Sequence, residues 1–191
     1  AGDRLLSTRQ PSLVVDPPDG RVPVKASAAA VREAAIARQR DDYRTMSTWD
    51  RCITRGVPGS MLPTGYNNAY RIMQTSDHVI ILHEMIHEAR IIPLDDRPYI
   101  DEAVDLWTGD ARARWDGDTL VVDAQGFNGE AWLDRAGNYA SNGLHVVERY
   151  TPMGPNAIMY EATIEDPNVF TRPWEIRMPL YRRLEANAQV L

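Results

Sequence analysis

The sequence predicts a mainly β protein, an antiparallel strand meander of barrel-like form, with one outer helix near residues 27–44 and an N-terminal arm. Three observations carry that expectation. From Ala69 onward the chain breaks into short runs, "AYRIMQT", "HVIIL", "ARIIPL", "ARARW", "DTLVVDA", "LHVVERYT", "AIMYEATIE" and "WEIRMPLY", rich in β-branched or aromatic residues. Two of the runs alternate clearly. Leu144, Val146 and Tyr150 alternate with His145, Val147 and Arg149, and Ile158, Tyr160, Ala162 and Ile164 alternate with Met159, Glu161 and Thr163. A period of two is the mark of a strand with one buried face. No helical pattern separates the runs, which favours an antiparallel barrel or sandwich over a parallel sheet with crossover helices.

Taken in order, residues 1–26 form the arm. Within it "PSLVVDPPDGRVPV" sets two apolar runs around Asp16–Gly20, whose prolines and glycine supply the fixed and positive φ of tight turns. This reads as a small hairpin or an ordered arm, ahead of a single β-rich domain over residues 27–191. "SAAAVREAAIARQRDDYR" is the helix: it is rich in alanine, Ser27 stands as its cap, and Val31, Ala34, Ala35 and Arg38 fall at helical spacing. Its thin apolar stripe places it on the outside. "WDRCITRGVPGSMLPTGYNNAY" is rich in Gly, Pro, Asn and Thr and predicts a long irregular segment; such segments are often functional or packed as lids. The pairs Asp116-Gly117, Gly154-Pro155 and Asp166-Pro167 then separate the strands.

The 191 residues fit one domain with a sizeable core. A net charge of −6, with no Lys/Arg run broken by aromatics, argues against nucleic acid as a partner. No apolar run approaches the ~18 residues of a spanning helix, so no membrane span is expected. Cys52 is the single cysteine, which rules out an intrachain disulfide and a cysteine-rich metal site. The chain opens on Ala-Gly-Asp without a basic and apolar leader.

"HVIILHEMIHEARIIPLDD" contains His-Glu-x-x-His. On a helix, His83 and His87 would share one face and a zinc ion, with Glu84 as general base and Glu102 or Asp105 as a further ligand. On a strand the two histidines would stand about 13 Å apart, too far for one ion. Leu82, Met85, Ile86 and Ala89 fall at helical spacing, whereas Val79, Ile80, Ile81, Ile86, Ile91 and Ile92 favour extended chain. The strand is the preferred reading. No cofactor is therefore expected, with zinc on His83 and His87 as the alternative.

Two further groups of residues suggest a small-molecule pocket. "NGEAWLDRAGNYASNGLH" places Trp132 beside Asp134 and Arg135, an apolar face with polar groups to orient a ligand. The structural alternative is a loop fixed by Asp134 and Arg135 with Trp132 as a plug. Glu84, His87 and Arg90 would meet His145, Arg149 and Glu161 if all pointed into a barrel, with Glu84, His87 and His145 as the acid–base groups. Charges on half-buried strands more often face water and pair across the sheet. Tyr66 and Asn67, in "TGYNNAY", are candidates for the pocket mouth or else plain turn formers.

The motifs "RCITRGVPGSMLPTGYNN", "EMIHEARIIPLDDRP", "RWDGDTLVVD", "WLDRAGN", "LHVVERYT" and "IEDPNVFTRPW" together resemble a large family of uncharacterised, usually exported bacterial proteins. The resemblance runs from about Leu6 to the C-terminus and implies a strand-rich fold and a periplasmic or secreted home. It implies no reaction. Relatives often carry a histidine where this chain has Ala140. The leading expectation is thus an exported protein that holds a small molecule in an aromatic and charged pocket, with acid–base chemistry as an extension. The zinc hydrolase is one alternative. The other is a non-catalytic subunit of a periplasmic assembly, joined to a copy of itself or to another protein through edge strands.

Overall fold

A computed structural model describes residues 11–101, 103–185 and 187–190. Each of the eight runs forms a strand: β2 (Tyr70–Gln74), β3 (His78–His83), β4 (Ala89–Pro93), β5 (Asp110–Asp116), β6 (Thr119–Gln125), β7 (His145–Gly154), β8 (Ala157–Glu165) and β9 (Trp174–Tyr181). A short β1 (Val14–Asp16) and one helix, α1 (Ala26–Arg38), precede them. All pairings between strands are antiparallel.

The strands form two ladders, a six-stranded sheet in the order β1-β9-β8-β7-β6-β5 and a three-stranded sheet β2-β3-β4. Among the described residues neither ladder closes on itself, so the antiparallel meander is seen as two sheets and no closed barrel is formed by hydrogen bonds. The break falls between β4 and β5. Pro93 ends β4 and Pro98 follows, and a proline has no N–H to give to a ladder. The two sheets meet instead through their side chains. Val79, Ile81 and Ile92 of the small sheet join one apolar core with Val122, Val146, Tyr160 and Ile164 of the large one.

The arm turns between Pro17 and Gly20, where the Gly20 N–H donates to the Pro17 carbonyl at 3.0 Å and the Ser12 hydroxyl reaches the Gly20 carbonyl at 2.9 Å, and it packs on the large sheet. Val14 pairs with Ile176 of β9, and Val24 bridges to Phe170. Leu13, Val14, Val22 and Val24 pack against the core, which draws the arm along the final strand and covers its edge. Residues 1–10 lie outside the described residues. The helix is shorter than its pattern suggested. It starts after Lys25, not at Ser27, because the Lys25 N–H is tied to the Val169 carbonyl at 2.9 Å. It stops at Arg38, whose carbonyl accepts a hydrogen bond from the Thr45 hydroxyl at 2.6 Å. Only Ala28 of α1 is buried, as an outer helix requires.

The irregular segment is not a surface lid. Residues 54–61 are buried throughout, with Val57 and Met61 in the core and a 3₁₀ turn at Gly59–Met61. They lie directly against residues 131–133. A Cβ at Gly56 would stand 2.9 Å from the Ala131 Cβ, and one at Gly59 would stand 2.8 Å from the Leu133 carbonyl oxygen. Glycine is what allows that approach.

Candidate functional site

The close packing of residues 54–61 on residues 131–133 sets two tryptophans along one cleft of about 650 Å³. Trp49 comes from the chain after α1, and Trp132 from the loop between β6 and β7. Arg40, Tyr43, Asp134 and Arg135 complete the part of the wall that matters chemically. A second cleft of about 420 Å³ shares Trp132 and Met46 and adds Arg38, Arg44 and Arg51. Both are open troughs on the α1 side of the molecule.

Local bonding fixes the rim. The Asp134 carboxylate accepts hydrogen bonds from the N–H groups of Ala136 (2.9 Å) and Asn138 (3.1 Å) and from the Asn138 side-chain amide (2.6 Å). Trp132 and Tyr139 bridge the base of this loop, and Arg32 of α1 donates to the Asn138 side-chain oxygen at 2.9 Å. Asp134 therefore acts as the loop's own anchor, and the neighbouring Arg135 is left to reach over the cleft. The Arg135 guanidinium lies 5.6 Å from the centre of the Trp49 ring, and that of Arg55 lies 4.4 Å from the same ring. Both distances suit cation–π attraction.

A second concentration of polar chemistry lies between the sheets. Arg90 of β4 forks onto Glu148 of β7, Nη1 to Oε1 at 3.0 Å and Nη2 to Oε2 at 2.5 Å. The hydroxyls of Tyr150 and Tyr160 each donate to Glu148 Oε1 at 2.9 Å. Burial by itself would push the Glu148 carboxyl up, but the Arg90 charge and these hydrogen bonds hold it below the usual carboxylate range. Beside this cluster His83 is buried edge-on to Tyr70, with ring centroids 5.8 Å apart. Neither ring nitrogen of His83 has a partner among the described residues. Burial, then the charge of Arg90, pulls its pKa down to about 4, so its imidazole is neutral at pH 7. Nearby, Glu88 accepts from the Thr54 hydroxyl at 2.6 Å, and burial raises its pKa.

Glu148 was not among the residues that the sequence singled out. Its signal is present nonetheless: it falls in phase with Val146 and Tyr150 on the buried row of β7, as Arg90 falls with Ile92 on β4. A charge in an apolar phase implies a buried partner.

The other candidates lie elsewhere. His83 ends β3, and Glu84 to His87 form the turn into β4, closed by a hydrogen bond from the His83 N–H to the Glu88 carbonyl at 2.9 Å. Ile86 and His87 take left-handed backbone at φ 66° and 57°, so the segment is a hairpin turn and not a helix. His83 is buried and His87 exposed, and no trio of His, Cys, Asp or Glu among the described residues is placed to hold a metal ion. Glu102 lies outside the described residues. Glu84 accepts from the Ala69 N–H at 3.2 Å. His145 meets Asp123 at 3.0 Å on the outer side of β7, where Tyr99 also donates to Asp123 at 3.2 Å. No hydrogen bond or ion pair among the described residues joins Glu84, His87 and His145 to one another. Arg149 pairs with Asp116 at 2.8 Å and Glu161 with Arg177 at 2.6 Å, both on the outer face. Tyr66 and Asn67 are exposed, Asn67 at φ 50°. The Tyr66 carbonyl accepts from Thr64, which in turn accepts from Arg55.

No protein-family model, curated protein or solved structure matches the chain. No helix among the described residues is long and apolar enough to cross a membrane.

Proposed function

We propose that this chain is a small-molecule-binding protein whose ligand occupies the cleft between Trp49 and Trp132. One observation carries the reading: two segments 83 positions apart in sequence are packed through Gly56 and Gly59 so that two indole rings, Arg135 and Arg40 face one open space. A cleft of about 650 Å³ falls within the range of small-ligand sites, which combine aromatic walls with a few polar groups. Binding is the function we assign to this cleft.

The resemblance to exported bacterial proteins supports a periplasmic or secreted home, and the facing of the two sheets across the Arg90–Glu148 cluster supports a barrel-like description. Native mass spectrometry of the protein purified gently from its own source tests the reading. A discrete added mass that disappears in Trp132→Ala is the expected result. A bare chain in both forms would remove the cleft as a ligand site.

A further inference from the structure

The charges around the cleft are not equally engaged, and the imbalance indicates what kind of guest it takes. Its carboxylates already accept hydrogen bonds or stand beside a cation, Asp50 and Asp134 from neutral donors that leave their charge in place. Asp42 is held by Arg44 at 2.9 and 3.1 Å, Asp50 by Gln39 at 2.8 Å and Ser47 at 2.7 Å, and Asp134 by its own loop. Asp41 stands 3.7 Å from Arg38. The cations differ. Among the described residues no carboxylate pairs with Arg40 or Arg135, which line the cleft, or with Arg55 beside Trp49.

Arg55 is the more telling of these because it is only 5% exposed. A buried guanidinium without a counter-ion is costly, and water does little to screen its field. One of its nitrogens donates to the Thr64 hydroxyl at 3.0 Å, while its Nε has no partner. Burial accordingly lowers its pKa. The Arg55 guanidinium lies 4.4 Å from the centre of the Trp49 ring, and Trp49 lines the cleft, so this unmatched charge stands one ring away from the open space. This happens in a chain whose net charge is −6.

We infer that the cleft takes a small planar anion of the aromatic carboxylate class, its ring against Trp49 and Trp132 and its carboxylate on the free guanidinium forks of Arg135 and Arg40. Arg55 acts from beside Trp49 as a fixed source of positive potential. A planar fork matches a carboxylate through two parallel hydrogen bonds, and an indole face matches a ring. The inference rests on the reading of the cleft as a ligand site and adds the chemistry of the guest.

Isothermal titration calorimetry with indole-3-acetate and its neutral counterpart indole-3-acetamide tests it, run on the full chain and on the variants Arg135→Gln and Trp132→Ala. The acid should bind about tenfold or more tighter than the amide. Arg135→Gln should erase most of that preference while leaving amide binding in place, and Trp132→Ala should weaken both. Added salt should weaken the acid alone. Equal binding of acid and amide, or a preference untouched by Arg135→Gln, would overturn the anionic class and leave the cleft standing. Failure of both probes, with a different guest lost from Trp132→Ala in native mass spectrometry, would overturn the aromatic carboxylate and retain the site. Failure of both probes with a bare chain would remove the inference and the binding reading together.

Discussion

The cluster between the sheets and the cleft beside α1 are built from the same side-chain types, and they differ in how completely those side chains are satisfied. In the cluster, Arg90 and Glu148 are buried, matched fork to fork, and completed by two tyrosine hydroxyls. In the cleft, the acids accept hydrogen bonds or stand beside a cation, while Arg40 and Arg135 have no carboxylate partner among the described residues. A saturated group of charges has nothing left to offer a ligand and holds the fold in register. A group with unmatched charge beside open space has chemistry to spare. Residue type alone therefore does not mark a site; unmet hydrogen bonding next to accessible volume does.

The strongest way to break this contrast is to unsaturate the cluster. Glu148→Gln leaves the Arg90 charge buried without a counter-charge, and we expect a loss of about 3–5 kcal/mol, read as a lower urea midpoint. Replacing the whole cluster, Arg90→Met and Glu148→Leu with Tyr150→Phe and Tyr160→Phe, should recover most of that loss, because the buried charges and the hydroxyls that depend on them disappear together. A loss under about 1 kcal/mol for Glu148→Gln would mean that water enters the cluster, and the comparison would fail.

The next effect comes from His83. Unfolded, its imidazole protonates near its ordinary pKa of 6.5, whereas folded it resists protonation until about pH 4. As pH falls through that window the unfolded chain binds a proton that the native state refuses. His83 thus supports the fold above pH 6.5, and that support is lost progressively down to about pH 4. At about 1.4 kcal/mol per pKa unit the loss is on the order of 3 kcal/mol. Melting temperature measured against pH should fall across this range, and His83→Leu should flatten the fall. An unchanged slope in that variant would assign the acid sensitivity to other groups.

The strands of this protein are legible because each run is short, rich in β-branched or aromatic residues and bounded by turn residues, with a clear period of two in β7 and β8. The split into two ladders is not, since Pro93 and Pro98 act through missing hydrogen bonds that no apolar pattern records. The zinc-like spacing of His83 and His87 is settled by strand propensity at Val79–Ile81 and by the turn that Ile86 and His87 make. Glu148 escapes because a glutamate on a half-buried strand is ordinarily read as facing water. Its partner lies 58 residues away in another sheet. Trp132, Asp134 and Arg135 stand out as an unusual loop sequence, but Trp49 and Arg55 become their neighbours only through the glycine contacts at positions 56 and 59. Contacts between irregular segments have no period from which to be read.

On the cleft side, Asp134 sharpens the contrast. It holds its loop through three hydrogen bonds, so Asp134→Ala should cost about 1–2 kcal/mol and let Arg135 leave the Trp49 ring. Tryptophan fluorescence should change with it. An unaltered spectrum and unaltered stability would show that the loop is held from elsewhere, by Arg32 on Asn138.

The smallest effect belongs to the outer face, where Arg149 and Asp116 pair in solvent at 2.8 Å with both side chains more than a third exposed. Such pairs gain little, because water screens the attraction and two long side chains lose freedom. Arg149→Gln should change the stability read from urea unfolding by less than about 0.5 kcal/mol and leave probe binding in the cleft unaltered. The value of that null effect is diagnostic. Arg149, Arg90 and Arg135 all have carboxylates or aromatic rings as neighbours, yet Asp116 and water share the first, Glu148 satisfies the second, and the third has no carboxylate partner among the described residues. A loss above about 1 kcal/mol at Arg149 would show that exposure does not rank these arginines, and the basis for assigning the cleft to an anion would weaken with it.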